Sequence, residues 1–143
     1  MKTLFDDQSY DEIDELDEVD VDRELVGSIY GVPDRWWGFD VVGRDKHPGA
    51  CVNRIAASEK VQLLKGTDPK SARYQVSQVL VEPDETNHLS KATSFAIRPF
   101  VFSARRVAQL HFNRLIGALR HDDLQRMREE LARLFAYPGN SAT

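Results

Sequence analysis

The stretch "RDKHPGACVNR" gathers Arg44, Asp45, Lys46 and His47 in a polar loop that opens onto a strand. A second stretch, "LLKGT", ends the next strand-like run with Thr67 beside Lys65. If those two strands pair, an imidazole, a hydroxyl and several cations come together in space. That set suits cleavage of a phosphodiester through the 2′-hydroxyl of RNA. Cations offset the charge of the pentacovalent phosphorane, and the imidazole moves protons at the attacking and leaving oxygens. The competing reading is plain: basic loop residues are commonly just solvated, and a strand-end Thr commonly satisfies backbone.

Other chemistries lack their residues. The chain has no Gly-rich phosphate loop, no GxSxG elbow, and no CxxC or HExxH pair. His47, His88, His111 and His121 are scattered rather than spaced as ligands on one element, so no metal and no cofactor is expected. Cys51 is the only cysteine, which rules out an internal disulfide and suits a reducing cytoplasm. Flanked by Ala50 and Val52, it reads as buried and inert. No apolar run reaches the roughly 18 residues of a membrane span, and "MKTLFDDQSY" lacks the apolar centre of a signal peptide.

Charge divides the chain. Eleven of the first 24 residues are Asp or Glu, against Lys2 and Arg23, whereas the remainder holds 17 Lys and Arg against 12 acids. An acidic, disordered tail over residues 1–24 therefore precedes a basic domain over 25–137, and residues 138–143 form a flexible end. The tail reads first as a solvated leader. Its isolated apolar residues, Ile13, Leu16 and Val19, also fit an acidic peptide in which residues 6–22 fold back onto a basic surface.

Positioning elements follow from the patterning. Short strand-like runs, "ELVGSIYGV", "WWGFDVVG", "ACVNRIA", "KVQLLKG", "RYQVSQVLVEP" and "TSFAIRPFVFSA", are separated by turn residues, with a bend or an edge at Pro99. "RVAQL" reads as one more short strand. In "HDDLQRMREELARLF", Leu124, Met127, Leu131, Leu134 and Phe135 recur at helical steps, predicting a closing helix over about 122–136. His121 or Asp122 would cap it, and "YPGN" would stop it. The whole is mainly β with a C-terminal helix, a small and strongly bent barrel.

The order of these pieces resembles the PemK/MazF-like toxins. The basic residue before Pro48 and "ACVN" is similar to that family's "RPALVV" signature, a Thr follows one strand later, and "RLIGALRHDDLQRMREELARLF" resembles its ending. The resemblance runs over roughly residues 25–136. It implies an SH3-like barrel, usually a homodimer, and a metal-independent endoribonuclease toxin of a type II toxin–antitoxin system, cutting single-stranded RNA in the cytoplasm and opposed by an antitoxin protein. It maps the catalytic pair onto His47 and Thr67, and Arg44, Lys46, Lys65 and Arg98 are the candidate RNA-binding residues beside them. The family has Arg where this chain has His47. Imidazole can carry protons but is not a permanent bidentate phosphate clamp, so Lys46, Arg44 or Arg98 would supply that charge, or the site would be degenerate.

A second class stays open: a non-catalytic module on the same fold, binding RNA or, like a gyrase poison, a protein. Trp36 and Trp37 could stack a base, although core packing and a dimer contact use such residues more often. Arg105 and Arg106 could line an RNA path beside Arg98.

Overall fold

The computed structural model describes residues 20–38, 46–55, 58–71 and 77–135. Seven strands are described: β1 (Ser28–Pro33), β2 (Lys46–Ile55), β3 (Lys60–Thr67), β4 (Gln78–Val81), β5 (Thr93–Ala96), β6 (Phe100–Ser103) and β7 (Leu115–Ala118). Two α-helices join them, α1 (Ala104–Asn113) and α2 (His121–Leu134). The strands run antiparallel in the order β4-β5-β3-β2-β1-β7, with β6 also on β3. This is the expected mainly-β architecture, a curled half-barrel closed by C-terminal helix. Among the described residues no helix is long and apolar enough to cross a membrane.

The curl originates in β3. Its first half, Lys60–Leu63, pairs with β6, while Gly66 and Thr67 pair with β5. Both faces of the sheet are buried. Tyr30, Val32, Cys51, Val61 and Leu63 pack under α1 with Leu25, Val107 and Leu110. Their neighbours Ile29, Ala50, Val52 and Leu64 pack on the other face with Phe95 and with Met127 and Leu131 of α2. Met127 and Leu131 are fully buried, each contributing about 1.5–3 kcal/mol relative to an exposed side chain.

Several expectations are corrected here. Residues 106–110, "RVAQL", belong to α1 and not to a strand. Ala104, Val107, Ala108 and Leu110 recur at helical steps and are buried, and the Arg106 amide donates to the Ser103 hydroxyl as an N-cap. Trp36 and Trp37 lie in a 3₁₀ turn, Asp34–Trp37, where a strand was expected. Arg120, with no side-chain cap, holds the N-cap position of α2 assigned to His121 or Asp122. That helix ends at Leu134, ahead of "YPGN", which lies outside the described residues together with residues 138–143.

The acidic segment up to residue 19, including Ile13, Leu16 and Val19, lies outside them too. The described end of the acidic tail, from Asp20, does not stand apart from the domain. Val21–Leu25 forms a π-helical turn in which Leu25 is fully buried and Val21 packs on the α1 core. The packed domain therefore begins before the charge boundary at residue 24.

One close approach sets the end of the sheet that matters below. A Cβ on Gly49 would lie 2.6 Å from Val32 Cγ2 and 3.0 Å from the Trp37 ring. Trp37 thus lies directly on the β2 backbone. Gly49→Ala is expected to lower unfolding free energy by about 1–3 kcal/mol through this overpacking. An unchanged urea midpoint would show that Trp37 does not need the bare backbone.

Candidate functional site

Pro33 ends β1, and the chain turns at once into the 3₁₀ turn whose first residue is Asp34. This carboxylate is only 2% exposed and lies 2.6 Å, Oδ1 to Nδ1, from His47. His47 is 23% exposed and sits within β2, opposite Val32 of β1, not in a loop as the sequence suggested. An ionised carboxylate can only accept, so with Asp34 in that form Nδ1 is the donor and Nε2 is turned away from Asp34. A buried carboxylate without such a donor would be costly. The pair therefore locks both the turn and the imidazole's tautomer, the arrangement that prepares a histidine for proton transfer.

Register decides which of the other candidates join it. Gly49 pairs with Lys65, and side chains alternate along a strand. Cys51 and Leu63, paired with each other, both face the α1 core. His47, Gly49, Lys65 and Thr67 then fall on that same face. His47 and Thr67 each lie two residues beyond the last β2–β3 pair, at the same end of the ladder. Arg98 lies just before β6, in the β5–β6 connection, and is placed by a ring contact rather than by register. Leu63 pairs with Phe100, and the Arg98 guanidinium stands 5.9 Å from the Phe100 ring centroid. Register thus places His47, Lys65 and Thr67 on one face at one end of the β2–β3 ladder, and Arg98 lies beside Phe100 at that same corner of the sheet.

Lys46 does not share it. It follows the opposite face of β2, where its Cδ lies 3.5 Å from the place a Cβ on Gly31 would take. Arg44, the remaining candidate, lies outside the described residues, as does Asp45. Asp34 is the member of this candidate site that sequence reasoning missed. Its signal was a strand-ending Pro followed by an acid, which local pattern assigns to an ordinary turn.

Trp37 forms the floor of the corner, edge-on to Phe100 at 4.8 Å between centroids. Its indole N–H is buried without an acceptor among the described residues. Further along the same face, the buried Tyr30 hydroxyl is 3.0 Å from His111 Nδ1, and His111 Nε2 is 3.9 Å from Glu24. Burial pushes the Tyr30 hydroxyl well above the usual phenol range. Cys51 is fully buried, and burial likewise drives its thiol far up, which makes it a poor nucleophile. Among the described residues no three His, Cys, Asp or Glu side chains are grouped as metal ligands.

Comparison of the chain with protein-family models, with curated proteins and with solved structures finds no match in any of the three. The corner must therefore be interpreted from its own geometry.

That geometry makes a stability prediction. His47→Ala leaves the Asp34 carboxylate without its donor and is expected to cost on the order of 1–3 kcal/mol in urea unfolding. Combined with Asp34→Asn, the loss should fall short of the sum by at least about 0.5 kcal/mol. Strict additivity would mean that the two groups do not interact in solution.

Proposed function

We propose that this protein is a metal-independent endoribonuclease acting on single-stranded RNA, as a cytoplasmic growth inhibitor opposed by an antitoxin protein. The observation that carries this reading is the buried Asp34 held 2.6 Å from His47. An imidazole fixed in one tautomer by a buried carboxylate, at a corner shared with a hydroxyl and cations, suits proton transfer at a phosphodiester. In the proposed step His47 Nε2 takes the proton of the 2′-hydroxyl, whose oxygen bonds to phosphorus as the bond to the 5′-oxygen breaks. The 5′-oxygen leaves with a proton from the Lys65 ammonium. Thr67 and Arg98 hold the non-bridging oxygens as negative charge grows on them. The products are a 2′,3′-cyclic phosphate and a 5′-hydroxyl, with no water consumed at this stage.

The role assigned to Asp34 suits a His47 that stands in place of an Arg. Proton transfer falls to His47 and Lys65, and the charge on the non-bridging oxygens to Thr67 and Arg98. Under the competing reading, a binding module, the same corner would hold RNA without cutting it.

Incubating the full chain with a long single-stranded RNA and EDTA tests the reading. Cyclic-phosphate ends should accumulate, and His47→Ala, Thr67→Ala and Asp34→Asn should each slow cleavage by roughly two to four orders of magnitude. RNA left intact by the folded wild-type chain would favour the binding module, and equal rates in all three variants would remove this corner from the account.

A homodimer is part of the proposal. The aromatic bulk that first suggested it is partly used within the chain, since Trp37 is 5% exposed and Trp36 packs on Phe102. Exposed Phe112 and Leu115 remain at the α1–β7 junction as apolar surface for a second copy. Light scattering at tens of micromolar should give twice the chain mass, and a monomer there would overturn the dimer.

A further inference from the structure

From the His47 corner, an aromatic row runs along β6 towards the start of α1. Phe100 and Phe102 lie two residues apart on one face, with centroids 6.5 Å apart and ring planes 6° from parallel. Trp36 flanks Phe102 at 5.1 Å. A guanidinium sits over each end. Arg98 stands over Phe100 at 5.9 Å, and Arg106 stands over Trp36 at 4.0 Å and over Phe102 at 5.3 Å. Trp36, Phe100 and Phe102 are partly buried, while both arginines are exposed.

Core packing alone accounts for the three rings. It does not account for the two cations. Four other exposed arginines have polar partners, Arg54 with Glu59, Arg126 with Asp123, Arg133 with Glu130 and Arg128 with Asn53, whereas Arg35, Arg114 and Arg120 show neither an ion pair nor a ring contact among the described residues. Among the described residues, Arg98 and Arg106 have no carboxylate within ion-pair distance, although the chain as a whole is acidic. Each is held by a ring instead, a contact that orients the planar group while leaving its N–H edge and outer face available. An anion or a flat π-system would find these groups already ordered, so little side-chain freedom is lost on binding.

We infer that Arg98, Phe100, Phe102, Trp36 and Arg106 form a rail that binds single-stranded nucleic acid leading away from the His47 corner, with a base stacked on the outer face of the Arg106 guanidinium. The choice of ligand rests on the reading of that corner as an RNA site. Two features on the page favour it over an acidic peptide. Stacked guanidinium and aromatic faces match the faces of bases, and the row is continuous with the corner through the Phe100–Trp37 contact. Carboxylates on a peptide would satisfy the charge but leave the stacking surface unused.

The test uses the full chain and a fluorescent 12-residue oligodeoxythymidylate. Without 2′-hydroxyls this probe cannot be cut by the proposed reaction, so binding is read independently of cleavage. Anisotropy titrations at several salt concentrations should show that Arg106→Ala weakens affinity roughly 5- to 100-fold, the scale of one lost stacking partner. It should also reduce the slope of log K against log salt by about 0.7, the value of one phosphate contact on a single strand. Arg106→Lys should restore the slope but not the affinity. Arg133→Ala, on α2, should change neither. Full recovery of affinity with Lys, wild-type affinity in Arg106→Ala, or tighter binding of poly-glutamate than of the oligonucleotide at equal charge would each overturn the rail. Retained binding with no cleavage of RNA would instead sink only the catalytic reading, and cleavage with no role for Arg106 would sink only the rail.

Discussion

Everything in this molecule turns on a change of partner along one edge of β3. Up to Leu63 that edge belongs to β6, and from Gly66 it belongs to β5, while β2 holds the opposite edge as far as Lys65. A strand can serve two neighbours on one side only if the sheet bends between them. Gly66 allows the bend to be tight, because a Cβ there would lie 2.6 Å from Thr93 Cγ2 and 2.8 Å from the Phe95 ring. The curl gives the half-barrel its two buried faces. It also explains why Lys65 and Thr67 occur where they do, on either side of the pivot.

The corner assembled there joins two departures from simple expectation. A histidine stands where the proposed family resemblance expects an arginine, and a carboxylate is buried where a turn normally leaves one in water. Each explains the other. Beneath a guanidinium, Asp34 would mainly neutralise a permanent charge. Beneath an imidazole it fixes which nitrogen carries the proton. In the proposed reaction His47 on β2 and Lys65 on β3 move protons, while Thr67 and Arg98, the latter at the entrance to β6, offset charge.

Much of the frame was legible in the sequence because strand and helix periods are local. The runs that became β1, β2, β3 and β5 and the amphipathic spacing of α2 could be read directly, and Pro99 does interrupt the chain between β5 and β6. What failed depended on partners far along the chain. "RVAQL" fits a strand until Ser103 is recognised as a cap and Ala104 as the start of the same buried stripe. Gln62, between Val61 and Leu63, reads like a residue facing water, yet it is fully buried and accepts from Asn53 across the β2–β3 pair. Nothing near Asp34 reveals that its partner is His47, because only the register of β1 on β2 brings them together. The pairing of "ACVN" with "LLKGT" was the one long-range relation that could be anticipated, and it carried Lys65 and Thr67 to the corner with it.

Cys51 lies at the centre of that ladder, opposite Leu63 and under α1. Its carbonyl accepts the Gly27 amide at 2.7 Å, which ties it to the turn that carries the acidic segment into the domain. A thiol reagent can reach it only when α1 lifts or the β2–β3 pairing separates. With no second cysteine to confuse the signal, the rate of its modification becomes a clock for those openings, a native reporter of breathing beneath the corner that needs no engineered label.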